Sequence, residues 1–201
     1  EGQTVDPRNY GVVDGLPEAK HLFGAILSVT EADIQQRVFV GGNSSLTLMH
    51  YAVWFAYQFG IKTNDQAWAS ELADGEPIKM LCPCPGYDRH FSLCKQFGIE
   101  MIPVSMTGEG PDMDQVETLV KADKSIKGIW CVPRFANPTG EVYSDDAVSR
   151  LAGLGNIAGD NFLVLWDNAY AVHSLSKHAK PLASIDAAAK AQGTLDNVVQ
   201  F

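Results

Sequence analysis

From residue 35 onward, short apolar runs alternate with amphipathic stretches, and glycine, proline or a capping side chain punctuates the joins. A chain patterned this way builds βα units, which lay their strands side by side in a largely parallel sheet. Residues 37–41 predict a short strand ending in Gly41-Gly42, after which Ser44 or Ser45 caps a helix running toward Phe59. Residues 78–82, 99–105, 126–132, 162–166 and 197–201 predict further strands. Between them, residues 87–97 (closed by Gly98), 112–120 (opened by Asp112) and 145–154 predict helices. Upstream, Pro17 opens an amphipathic helix whose Leu22, Phe23, Ile26 and Leu27 form one stripe, as a packing element would. There is no internal repeat, low-complexity tract or interdomain linker.

Composition narrows the function classes. With 201 residues, 46% hydrophobic and 19% charged, the chain can bury a core and is no disordered polymer. A formal charge of −9 leaves no excess of Lys and Arg to meet phosphates, which argues against nucleic acid or an anionic membrane and for a small-molecule ligand. No apolar stretch approaches the ~20 residues that span a bilayer, and residues 1–10 lack the pattern of a signal peptide. A soluble, cytoplasmic protein is expected. Cys82, Cys84, Cys94 and Cys131 include no Cys-x-x-Cys, and three lie in or beside apolar runs, so free thiols are expected. Cys82, Cys84 and His90 make a thin metal set, because Pro83 and Pro85 stiffen the segment and no fourth ligand is evident; no metal is expected.

Open α/β sheets bind ligands beyond the carboxyl ends of their strands. Two clusters sit there: Asn137-Pro138-Thr139-Gly140 after one strand, and Asp167-Asn168-Ala169-Tyr170 after another. Asn137 on a proline turn can donate a hydrogen bond in a fixed direction, although such turns are also plain punctuation. Asp167 ends the buried-strand run 162–166, where a carboxylate is costly without a cationic partner. A protonated pyridine nitrogen is one such partner; a helix N-cap is the plainer role. Tyr170 offers a phenol three residues on. Gly41-Gly42-Asn43-Ser44-Ser45 offers backbone N–H groups and hydroxyls to a phosphate at a helix start, without matching a nucleotide-binding motif. Tyr87, after two turn-formers, can stack on a flat ring. Arg134 can meet a carboxylate bidentately. His173 and His178 flank a polar stretch and read as solvated.

Together these residues resemble the large domain of a fold-type I, pyridoxal-phosphate-dependent aminotransferase. The phrases 84–90 (Cys-Pro-Gly-Tyr-Asp-Arg-His) and 128–133 (Gly-Ile-Trp-Cys-Val-Pro) are similar to the bacterial Ic subgroup of aspartate aminotransferases. The resemblance implies a three-layer αβα fold around a mostly parallel sheet, incomplete here, with residues 1–35 as an N-terminal helical segment packed on a cofactor domain of residues 36–201. It implies pyridoxal 5'-phosphate as cofactor, Asn137 and Tyr170 on its phenolic oxygen, Asp167 on its ring nitrogen, Tyr87 stacked on the ring, and Asn43, Ser44 and Ser45 on the phosphate. The family's cofactor-linking lysine is expected after the last strand; Lys177, Lys180 and Lys190 come too early. The small C-terminal domain and its carboxylate-binding arginine also fall outside the chain, which reads as a fragment inactive by itself.

The activity so implied is ping-pong transfer of an amino group between an amino acid, with aspartate a candidate, and a 2-oxo acid, in amino acid metabolism and in a homodimer. Two other classes compete. Related domains serve as regulatory modules or other pyridoxal-phosphate-dependent lyases. Ser44, Asp167 and His173 also follow the chain order of an α/β-hydrolase triad, although the Gly-x-Ser-x-Gly elbow is missing.

Overall fold

The computed structural model describes residues 8, 10–61, 66–70, 75, 77–174, 176–177 and 179–201. Among them, strands β1 (Lys79–Cys84), β2 (Glu100–Ser105), β3 (Ile126–Cys131), β4 (Leu163–Trp166) and β5 (Val198–Gln200) form one sheet in the order β2-β1-β3-β4-β5. Every neighbouring pair is parallel. The expected α/β architecture is therefore present, and the strands lie within a residue or two of the predicted ones, apart from the run 37–41.

The two-residue period of the strands sorts their side chains into two cores. Leu81, Ile129, Cys131, Val164 and Trp166 face one way, onto helices α5 (Met113–Ala122), α6 (Asp145–Ala152) and α7 (Ile185–Gln192). Met80, Cys82, Trp130, Leu163 and Leu165 face the other way, onto α3 (Ser45–Phe59) and α4 (Asp88–Gln96). Three layers result. All six residues of β3 are buried, as expected for a central strand covered on both faces. Its Lys127 is accommodated because its amine donates to the Asp160 carbonyl at 3.0 Å. At Gly128 a Cβ would come within 2.7 Å of the Leu163 carbonyl oxygen and 2.8 Å of the Met80 sulfur, so only glycine fits between the neighbouring strands.

The helices start where the sequence supplies caps. The Asp112 carboxylate accepts from the backbone N–H of Asp114 and Gln115 to open α5, and the Ser144 and Ser184 hydroxyls do the same for α6 and α7. Helix α7, absent from the sequence reading, ends at Gly193 with φ 71°, the left-handed C-terminal position glycine favours.

Two expectations need correction. Residues 37–41 are not a strand: Arg37 closes the short helix α2 (Ile34–Arg37), and the Val40 N–H bonds to the Asp14 carbonyl instead of a sheet partner. Arg37 is held there by the buried Asp186 carboxylate of α7 at 2.6 Å. The apolar stripe of α1 (Pro17–Ile26) also does not bury as a stripe, since Leu22 and Phe23 are 58% and 46% exposed. The buried residues are Lys20, which bonds Asp14 and the Gln35 carbonyl, and Gly24, where a Cβ would meet Ile34 at 2.8 Å. Close approach to α2, more than apolar area, sets how α1 packs. No described helix is long and apolar enough to cross a membrane.

Candidate functional site at the carboxyl ends of the strands

The strand order reverses between β1 and β3, and ligands of open α/β sheets bind at such reversals. Helix α4 leaves β1 on one face, whereas α5 and α6 run on the other, so the loops after β1 and β3 part around a narrow crevice of about 20 Å³. Tyr87 follows β1, Asn137 follows β3, and Asp167 follows β4.

Asp167 is the electrostatic centre. Its backbone N–H bonds the Cys131 carbonyl at 2.8 Å, which fixes it beside the end of β3. The residue is 4% exposed; Oδ2 lies 2.9 Å from His90 Nε2, and Oδ1 has no hydrogen-bond partner. His90, 1% exposed, is held in turn by α4 and by Trp130, on which it stacks at 4.2 Å with 10° between the planes. Tyr87 meets the same imidazole edge-on at 5.1 Å. A buried carboxylate with one oxygen anchored and the other lacking a partner suits a protonated nitrogen on a ligand.

Asn137 stands at the tip of a loop pinned on both sides. Arg134 and Val142 form an antiparallel bridge, Ala136 N–H bonds the Glu141 carbonyl at 2.9 Å, and Gly140 N–H bonds the Ala136 carbonyl. Gly140 adopts φ 77°, which a residue with a side chain rarely does. Asn137 and Tyr170 line one open cleft of about 610 Å³ together with Phe135 and His173. Asn137 also walls a small gap of about 20 Å³ with Tyr87, His90 and Trp130. It therefore belongs both to the cleft of Tyr170 and to the aromatic set around His90.

Other expected residues stand outside the two spaces. Asn43, Ser44 and Ser45 sit at the start of α3, exposed or half-exposed, and, like Asp167, line neither of them. The Ser44 hydroxyl makes no capping bond there. Arg134 lines a separate cavity. Lys180 and Lys190 pair with Asp145 and Asp33 at 3.2 and 2.8 Å. The hydrolase order Ser44, Asp167, His173 does not assemble, because the partner of Asp167 is His90, while His173 packs on Tyr170 at 5.7 Å. His178 lies outside the described residues.

The thiols beneath the crevice are free. Burial pushes the Cys131 thiol up, and the hydrogen bond between Cys82 and Cys94 raises the first and lowers the second. His90 is turned to Asp167, away from any part in a Cys82–Cys84 metal set.

Comparison with known proteins decides the family. A sequence model described as aspartate amino-transferase matches residues 1–201, the whole chain. The chain belongs to the aspartate aminotransferase family. It is 42% identical over 189 residues to an aspartate aminotransferase of Corynebacterium glutamicum, covering 94% of this chain and 41% of that one. A protein of Mycolicibacterium smegmatis whose name assigns it to the aminotransferases is 44% identical over 176 residues, 88% of this chain and 39% of its own. The chain thus spans about two fifths of the curated relatives it matches. The solved aspartate transaminase of Corynebacterium glutamicum superposes with a TM-score of 0.86 at 40% identity, over 98% of this chain and 44% of that one. The fold reaches further: an N-succinyldiaminopimelate aminotransferase of Mycobacterium tuberculosis has a TM-score of 0.66 at 18% identity, over 96% and 44% of the two chains.

His90 and Trp130 are the site residues that sequence reasoning missed. The available signal was spacing: His90 falls one helical turn after Tyr87, and Trp130 points to the α4 face of β3 by strand alternation. Neither names Asp167 as the partner.

Proposed function

We propose that this chain is part of a pyridoxal-phosphate-dependent aminotransferase that moves an amino group between an amino acid, aspartate being the first to test, and a 2-oxo acid. The observation that carries this reading is the Asp167 carboxylate, buried, held by His90 through Oδ2 and with Oδ1 lacking a partner. Family membership supports it.

Pyridoxal phosphate, when bound, supplies a protonated ring that accepts electron density from the substrate's α-carbon. Asp167 Oδ1 accepts the ring nitrogen's hydrogen bond and keeps that nitrogen protonated. His90 holds the carboxylate in place, and Trp130 holds His90. Asn137 and Tyr170, on their shared cleft, donate to the phenolic oxygen. Tyr87 covers a face of the ring. Asn43, Ser44 and Ser45 bind the phosphate with hydroxyls and the N–H groups at the start of α3, where the helix dipole favours an anion. Residues outside this chain supply the linking lysine and most substrate recognition.

Residues 1–35 are further proposed as a segment packed on a cofactor domain of 36–201, supported by the Asp33–Lys190 pair and the bond from the Ser184 hydroxyl to the Ser28 carbonyl. A homodimer and a cytoplasmic location complete the proposal, on the strength of the family alone.

The test is amino transfer from aspartate to a 2-oxo acid by the full-length protein with pyridoxal phosphate added. Asp167→Ala should cut turnover by about a hundredfold or more while leaving the circular dichroism spectrum intact, the scale seen when a preorganised electrostatic group is removed. Unchanged turnover removes Asp167 from its role.

A further inference from the structure

A second cavity, of about 170 Å³, shares no lining residue with the Asn137–Tyr170 cleft. It opens beyond β4 and β5, between the end of α1 and the start of α7, and its wall includes Arg134, Asn168, Ser184 and Gln200. Arg134 is 8% exposed. Its Nη2 donates to the Ser174 hydroxyl at 2.6 Å, its guanidinium carbon lies 5.2 Å from the Phe135 ring centroid, and its Nε has no partner. A guanidinium stays charged at any working pH, and burying that charge without a counter-ion is far costlier than burying a neutral group. Among the described residues no carboxylate pairs with Arg134, and no Asp or Glu lines the cavity. Asn168 Oδ1, on the same wall, is also buried without a partner.

We propose that this cavity is a carboxylate-binding site, separate from the Asn137–Tyr170 cleft. Arg134 engages the carboxylate along its Nε edge, and the Asn168 amide meets a hydrogen-bond donor beside it. At roughly 30 Å³ per water of liquid volume, 170 Å³ admits an acid of two or three carbons or the end of an Asp or Glu side chain. The carboxylate has two sources: a free small 2-hydroxy or 2-amino acid, or a side chain from elsewhere in a longer protein. The site does not depend on the cofactor reading.

The experiment titrates the full-length protein with glycolate, with and without pyridoxal phosphate, by ligand-observed NMR, and determines the crystal structure of the unsubstituted protein. A free-acid site gives saturable glycolate binding in both forms, weakened tenfold or more in Arg134→Met and unchanged in Asn137→Ala. A side-chain source gives no glycolate binding and an Asp or Glu carboxylate within hydrogen-bond distance of Arg134 Nε in the crystal. Glycolate binding with affinity and stoichiometry both unchanged in Arg134→Met, or no binding together with only water or apolar atoms at Arg134 Nε, overturns the proposal. Because glycolate binding is read without the cofactor as well, its failure leaves the aminotransferase reading untouched.

Discussion

Replacing His90 with phenylalanine isolates the bond that steadies Asp167. Phenylalanine keeps a flat ring against Trp130, so the stacking contribution of about 0.5–1.5 kcal/mol is largely retained. What disappears is the 2.9 Å hydrogen bond, leaving the 4%-exposed carboxylate with neither oxygen partnered. Hydrogen bonds to charged groups are worth about 1.5–3 kcal/mol, and a buried acceptor cannot recover that from water. We therefore expect about 2 kcal/mol of destabilisation. The urea slope grows with the surface exposed on unfolding, so for a protein of full length the unfolding midpoint drops by less than about 1 M. The assay is urea denaturation of the cofactor-free full-length protein across His90→Phe, Asp167→Ala and the double variant. Since the two residues touch, the single effects should not add, and the cycle should return a coupling of about 2 kcal/mol. A coupling below about 0.5 kcal/mol refutes the claim that His90 anchors Asp167.

Gly128→Ala forces a methyl group against the Leu163 carbonyl and the Met80 sulfur, so it should lower stability by about 1–3 kcal/mol in the same denaturation assay. Hydrogen bonding from the Arg150 guanidinium holds the Glu117 carboxyl below its ordinary range. A depressed carboxyl stabilises the fold above its unfolded pKa and loses that contribution as pH falls through the folded one. Glu117→Gln should therefore cost about 0.5–1 kcal/mol at pH 7 and almost nothing well below pH ~4, measured by melting across pH. Of the four thiols only Cys84 is half-exposed, so brief iodoacetamide treatment followed by peptide mapping should label Cys84 well ahead of Cys82, Cys94 and Cys131. Equal labelling of all four contradicts the burial described.

The sheet was legible because its strands carry apolar runs, unbroken in β4 and interrupted in β3 by Lys127 and Gly128, and because Asp112 and Gly98 mark neighbouring joins. The run Val38-Phe39-Val40 has the same composition but no sheet to join: Phe39 is exposed and Val40 bonds the Asp14 carbonyl, so tertiary context overrode propensity. Helix α7 was missed although Ser184, an alanine-rich body and Gly193 all announce it. In the site, Asn137, Tyr170 and Asp167 were legible because each follows a strand. His90 was not, since what defines it is a contact spanning 77 positions of sequence. Arg134 was expected from the sequence to meet a carboxylate, yet nothing in the local sequence tells which side of its loop the guanidinium takes.

Because β1 pairs with β3 across the excursion through α4, β2 and α5, the crevice cannot exist until that whole stretch has closed on itself. Loop-closure entropy must be overcome before the distant contacts repay it, so refolding of this sheet is expected to be slow and the pairing of β3 with β1 to sit near the rate-limiting barrier. Weakening α5, for instance by removing its Asp112 cap, should then retard refolding more than it hastens unfolding.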